Sequence, residues 1–214
     1  DIDFFLIAYV KGAHSDRRFS AEYSELLLKS IRCLHVLQTP DHRLPLFGDG
    51  DDGRGFRLRE SNYSGNASGV IGVGGVMFHD RTLSASHYCN EESFWLLTEA
   101  EWNSAKSQAI NPLTETCTIF KEGGHIILRN GRTSTGDYCF FRAGSFGLGG
   151  NGLPSHSHND LFSPIIYLNG NLVLTDTGTS VYLGKDDERD FLRSAAAHNT
   201  TFPASWKFFE TKRW

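Results

Sequence analysis

Two of the nine histidines stand one residue apart in the stretch Pro154-Ser155-His156-Ser157-His158-Asn159-Asp160. On an extended backbone residues i and i+2 point to the same side, so both imidazoles can address one point. Further along lie Asp176, in LVLTDTG, and His198, in AAAHNTT. Two imidazoles and a carboxylate make a ligand set that zinc accepts when a fourth position stays open for water or substrate. Histidine also suits proton transfer near neutral pH. By residue types alone, a functional metal site and an ordinary polar surface both stay open.

Other chemical signals are weaker. The run Asp49-Gly50-Asp51-Asp52-Gly53 invites a calcium-loop reading, but its acidic positions and glycine are out of register with an EF-hand, so it reads as a solvated or structural turn. Gly147 to Gly152 satisfies GxGxxG, yet Pro154 follows where a dinucleotide site needs a helix. Dinucleotide binding is therefore rejected, and the glycines read as an approach to the histidines. Asn62, Asn66 and Asn199 each head an N-x-[ST] triplet, a pattern too frequent to build on. Cys33, Cys89, Cys117 and Cys139 are scattered, without a CxxC pair, and read as core thiols rather than disulfides.

These residues need a scaffold, and 214 residues suffice to bury a core without disulfides or metals. The formal charge of -4 shows no basic excess, which argues against nucleic acid as a partner. It leaves an acidic sugar polymer open, since a local cationic patch would serve. No apolar run approaches the ~20 residues of a membrane span, and no signal peptide is visible. The chain starts inside an apolar segment without Met, so a longer natural protein is expected.

Apolar spacing from Phe19 to Leu37 predicts an amphipathic helix, N-capped by Ser20 and stopped before Pro40. Such a helix must pack on a partner. After Pro45 a Gly/Asp-rich connection is followed by short apolar runs. Strands are predicted in CTIFKEGGHIIL, in DYCFFR, and on either side of Asn169-Gly170 in SPIIYLNGNLVLTD. A short helix returns over Asp186 to Ala196. The expected fold class is mainly β, an antiparallel β-sandwich. Its boundaries are a helical segment over 1–45, a connection over 46–58 and the sandwich over 59–214, incomplete at its C-terminus.

The run HSHND, then YLNGNLVLTDTGT, then RDFLRSAAAHNT resembles the β-sandwich domain of the heparinase II/III family of polysaccharide lyases. PLFGDGDDGR resembles the connection leaving that family's helical toroid, which makes the N-terminal helices the remnant of an (α/α) toroid. The resemblance implies that His158, Asp176 and His198 bind a structural zinc while His156 faces the substrate as a catalytic group. Asp160, Asn199, Arg189 and Arg193 match family positions too. Asp160 is expected to orient a histidine ligand, and for the arginines salt bridges within a short helix compete with substrate contact. Tyr182, in TSVYLG, is the one nearby tyrosine considered for a catalytic role, against a strand-end aromatic.

Geometry sets a condition on this ligand set. If Asn169-Gly170 is the hairpin turn, Asp176 lies opposite about Ser163, and His158 is then roughly 16 Å further along a straight strand. A shared ion requires the chain to bend between His158 and Ser163.

The activity the resemblance implies is β-elimination on a uronic-acid-containing polysaccharide such as a glycosaminoglycan or alginate, with most toroid residues outside this chain. The fragment alone is expected to be inactive, and its parent periplasmic or extracellular. Two other readings stand beside it: a zinc-dependent hydrolase, and a non-catalytic carbohydrate-binding sandwich.

Overall fold

A computed structural model describes residues 2–50, 65–83, 90–107, 113–146, 156–180 and 186–203. The chain divides into two compact units. The first comprises Asp1–Leu44 and Asp52–Thr114, the second Pro45–Asp51 and Glu115–Trp214.

The first unit is helical. Helix α1 (Ile2–Ala13) buries Leu6 and Val10, one turn apart. Helix α2 (Ala21–Leu37) begins where Ser20 Oγ accepts a hydrogen bond from the Tyr23 amide at 3.2 Å. It buries Leu27, Ile31 and His35 on one stripe and ends at Gln38, whose backbone is extended. Helix α3 (Ser68–Met77, SGVIGVGGVM) is followed by α4 (Glu91–Leu96) and α5 (Glu99–Ser107).

These last three helices correct the expected boundary, because they occupy sequence assigned to the sandwich. Glycine punctuation made SGVIGVGGVM read as short apolar runs. Each glycine inside a helix costs about 1 kcal/mol relative to alanine. Here the glycines let α3 lie against its neighbours: a Cβ on Gly74 would stand 2.8 Å from Ile31 Cδ1, and one on Gly75 2.4 Å from the Leu83 carbonyl oxygen. Burial of Val70, Ile71, Val73 and Val76, at up to about 1.5–3 kcal/mol each, outweighs that cost. The signals for α4 and α5 were local and were missed. Asn90 and Ser93 form a capping box, and Thr98 and Glu101 form another, with the Thr98 amide donating to Glu101 Oε2 at 2.7 Å.

The second unit is built on one antiparallel sheet of five strands in the order β1-β2-β3-β4-β5. The strands are β1 (Cys117–Phe120), β2 (His125–Asn130), β3 (Asp137–Arg142), β4 (Pro164–Leu168) and β5 (Asn171–Leu174). One face is assembled by register: Ile127 opposes Phe140, Phe140 opposes Ile165, and Tyr138 opposes Tyr167, and all five side chains are buried. The hairpin between β4 and β5 turns on Asn169 and Gly170, at φ 51° and 75°, the left-handed pair a type I′ turn requires. Helix α6 (Asp186–Arg193) and a single 3-10 turn (Ala195–Ala197) follow.

Antiparallel strands thus lie where their pattern predicted them. The mainly β description is corrected, since helices hold more of the described residues than strands do. A second sheet is not among the described residues. Cys33, Cys117 and Cys139 are free thiols, the second of them exposed rather than in a core. No helix among the described residues is long and apolar enough to cross a membrane.

Candidate metal centre

The chain preceding β4 is not extended. The Ser163 amide donates to the Asp160 carbonyl at 2.9 Å, Phe162 takes φ 61°, and its amide donates to the Arg142 carbonyl at 2.8 Å. This turn is the bend that the separation of His158 and Asp176 demands. It carries His158 into the interior, where its side chain is fully enclosed. Asp176 follows β5 and is buried; its Oδ1 accepts the Gly178 amide at 2.8 Å, closing a turn that Gly178 makes at φ 60°. His198 arrives from the 3-10 turn. Asn199 holds that segment in place, donating from Nδ2 to the Thr175 carbonyl at 2.7 Å and from its amide to Ser163 Oγ at 3.1 Å.

As a result, potential ligand atoms of His158, Asp176 and His198 all lie within 4.8 Å of one another. His198 Nδ1 is 2.9 Å from Asp176 Oδ2, and the two imidazole rings are 5.4 Å apart. Two buried ring nitrogens, His158 Nδ1 and His198 Nε2, have no hydrogen-bond partner. Enclosed polar atoms without partners are costly. Together with one carboxylate, they fit the donor set of a zinc-like ion.

A fourth residue, Asp49, organises the surroundings. Its carboxylate is wholly enclosed. Oδ1 meets His158 Nε2 at 2.7 Å and accepts a short hydrogen bond from Thr179 Oγ1, while Oδ2 accepts from Arg189 Nη2 at 2.8 Å. Burial alone would raise the Asp49 pKa; hydrogen bonds from Thr179 and His158 and the charge of Arg189 outweigh it and hold the group below the ordinary carboxylate range. Burial lowers the His158 pKa, with Asp49 opposing that shift only in part, so the neutral imidazole is favoured. His156 lies outward, with 60% of its side chain exposed and Nδ1 3.6 Å from Asp49 Oδ2. An exposed imidazole beside a buried His/Asp cluster can exchange protons with a bound molecule while the cluster stays shielded.

The expected site residues are thus placed as follows. His158, Asp176 and His198 come together, and His156 flanks them. Tyr182 lies outside the described residues. Asp160, expected to orient a histidine, instead makes a very short hydrogen bond with Arg142 at the end of β3. The carboxylate in contact with His158 is that of Asp49, read from sequence as one acidic residue of a solvated or structural turn; Asp51–Gly53 of that run lie outside the described residues. The only signal pointing to Asp49 was its place in PLFGDGDDGR, the stretch that resembles the family's connection. Arg189 turns toward Asp49, outside its own helix, and Arg193 Nη2 reaches the Ser157 carbonyl at 3.3 Å.

Comparison with known proteins agrees with this architecture. Residues 114–202 match the family model described as Heparinase II/III-like, C-terminal. Over that stretch the chain is similar to the heparinase II/III-like C-terminal domain. No curated protein matches the sequence. Among solved structures, a heparinase III gene product with methylated lysines superimposes with a TM-score of 0.68 at 19% identity. A heparan sulfate lyase, HepC, from Pedobacter heparinus gives 0.67 at 17% identity. Each similarity covers 93% of this chain and 27% of the other, so the chain spans under a third of the structures it resembles in fold. The heparinase-like segment contains the whole His158, Asp176 and His198 cluster, whereas Asp49 precedes it.

Proposed function

We propose that this chain is part of a polysaccharide lyase that cleaves a uronic-acid-containing polysaccharide by β-elimination, with zinc held by His158, Asp176 and His198. The observation that carries the reading is the enclosed His/Asp/His cluster, with two partnerless imidazole nitrogens, in a heparinase-like domain whose neighbouring histidine faces outward.

Elimination needs the uronate carboxylate neutralised, the C5 proton removed and the departing glycosidic oxygen protonated. His156 is the group of this chain suited to one of the two proton transfers. Bound zinc would supply a structural clamp joining the bend before β4, the end of β5 and the segment after α6. Tyr182 and groups from the helical part of a longer parent would complete the machinery.

The test has two arms. Metal analysis of the purified chain should find one zinc per chain, lost on His158→Ala. Incubation of the full-length parent with uronate polymers should generate an ultraviolet-absorbing C=C bond, and His156→Ala should slow its formation by roughly 10²-fold or more. New reducing ends without ultraviolet absorbance would replace elimination with hydrolysis. Unchanged turnover by the variant would remove His156 from the reaction.

A further inference from the structure

We infer that Asp49 is a positioning residue: it holds the proton of His158 on Nε2 and thereby leaves the Nδ1 lone pair as the metal donor. Three separate segments converge on its carboxylate, which a fourth supplies. His158 comes from the bend before β4, Thr179 from the chain after β5, Arg189 from α6, and Asp49 itself from the connection ahead of the sheet.

The assignment follows from donors and acceptors. An ionised carboxylate only accepts hydrogen bonds. The guanidinium charge of Arg189, 2.8 Å from Oδ2, and the Thr179 hydroxyl donating to Oδ1 favour the ionised carboxylate, and against an ionised carboxylate the 2.7 Å contact to His158 Nε2 places the proton on that nitrogen. Thr179 Oγ1, 3.3 Å from the same nitrogen, has its proton committed to Asp49 and imposes no competing donor. A neutral imidazole with Nε2 protonated bears its lone pair on Nδ1, and that atom is buried without a partner. Nitrogens bound to a metal are oriented in this way by an oxygen accepting from the other ring position.

The backbone around Asp49 is shaped for the same purpose. Its amide donates to the His156 carbonyl at 3.0 Å. Gly48 sits at φ +60°, and a Cβ there would stand 2.4 Å from that carbonyl oxygen, so a side chain would push the strap off the histidine loop. Asp49 therefore grips His156 through its main chain and His158 through its side chain, and sets their relative position.

The inference rests on the proposed zinc site for the donor role of Nδ1, and not for the tautomer that Asp49 imposes. In the metal-free chain, nitrogen NMR of labelled histidines should show His158 as the Nε2–H tautomer. Asp49→Ala should release that preference, whereas Asp49→Asn, which keeps an acceptor oxygen, should retain it. Zinc affinity, read by chelator competition, should fall roughly 10–100-fold in Asp49→Ala and much less in Asp49→Asn. An Nδ1–H tautomer in the unmodified chain overturns the inference, and that spectrum decides even if the alanine variant does not fold. An unchanged tautomer and affinity in a folded Asp49→Ala protein overturns it too. If the tautomer is as expected but zinc does not bind, the metal reading fails and the role of Asp49 stands.

Discussion

Replacing Arg142 by Met should loosen the sheet locally far more than a surface charge deletion would. Arg142 lies at the end of β3, its side chain 11% exposed, and its Nη1 donates to Asp160, whose side chain is 2% exposed. The second Asp160 oxygen is buried with no partner, so the arginine is the principal group balancing that carboxylate. A charge-assisted hydrogen bond contributes about 1.5–3 kcal/mol. Stranding the remaining charge brings the total cost of breaking a buried pair to about 3–5 kcal/mol. At ~1.4 kcal/mol per factor of ten, 3 kcal/mol corresponds to amide exchange faster by roughly 100-fold. The assay is native-state hydrogen exchange on the β3 amides of Tyr138 to Phe141 and on the Phe162 amide, which donates to the Arg142 carbonyl. The double variant Arg142→Met/Asp160→Asn should recover more than half of the loss, because it no longer buries an unbalanced charge. Exchange within about three-fold of the parent, or no recovery in the double variant, would refute the reasoning.

In α3, Gly75→Ala should destabilise more than Gly74→Ala, because the first Cβ meets a fixed carbonyl at 2.4 Å and the second an isoleucine methyl at 2.8 Å that can shift; chemical denaturation of the two variants checks the order. Ser20→Ala should cost about 1 kcal/mol by leaving the Tyr23 amide uncapped, read as a lower thermal midpoint for the helical unit. Acid should weaken the protein in two stages. Burial depresses His158 and His125, so the unfolded chain binds protons first and stability declines as pH falls below about 6.5. Asp49 and Asp80 are held low by their hydrogen-bond donors against burial, so a second loss begins as pH falls below about 4. Urea midpoints at pH 7.5, 5.5 and 3.5 should fall in that order, and a flat profile would contradict both assignments.

What could be read from the sequence was what short-range chemistry dictates. Ser20 caps α2 because its hydroxyl reaches an amide three residues away, and Asn169-Gly170 makes the β4–β5 turn because these two residues tolerate positive φ. The alternation in DYCFFR places Tyr138 and Phe140 on one face whatever packs against them. His158, Asp176 and His198 were identified through residue type and motif order, and the bend before β4 followed from strand rise once these residues were taken to share an ion. The glycine-rich α3 was illegible because local propensity opposes a helix there, and only burial against Ile31 and Leu83 reverses the balance. Asp49 was illegible for a related reason: in a Gly/Asp-rich run a carboxylate looks solvated, and its partners lie 109, 130 and 140 residues away. The tertiary structure encloses the Asp49 carboxylate among donors from distant parts of the chain, and that enclosure is what lets an acid in a Gly/Asp-rich run act on a histidine.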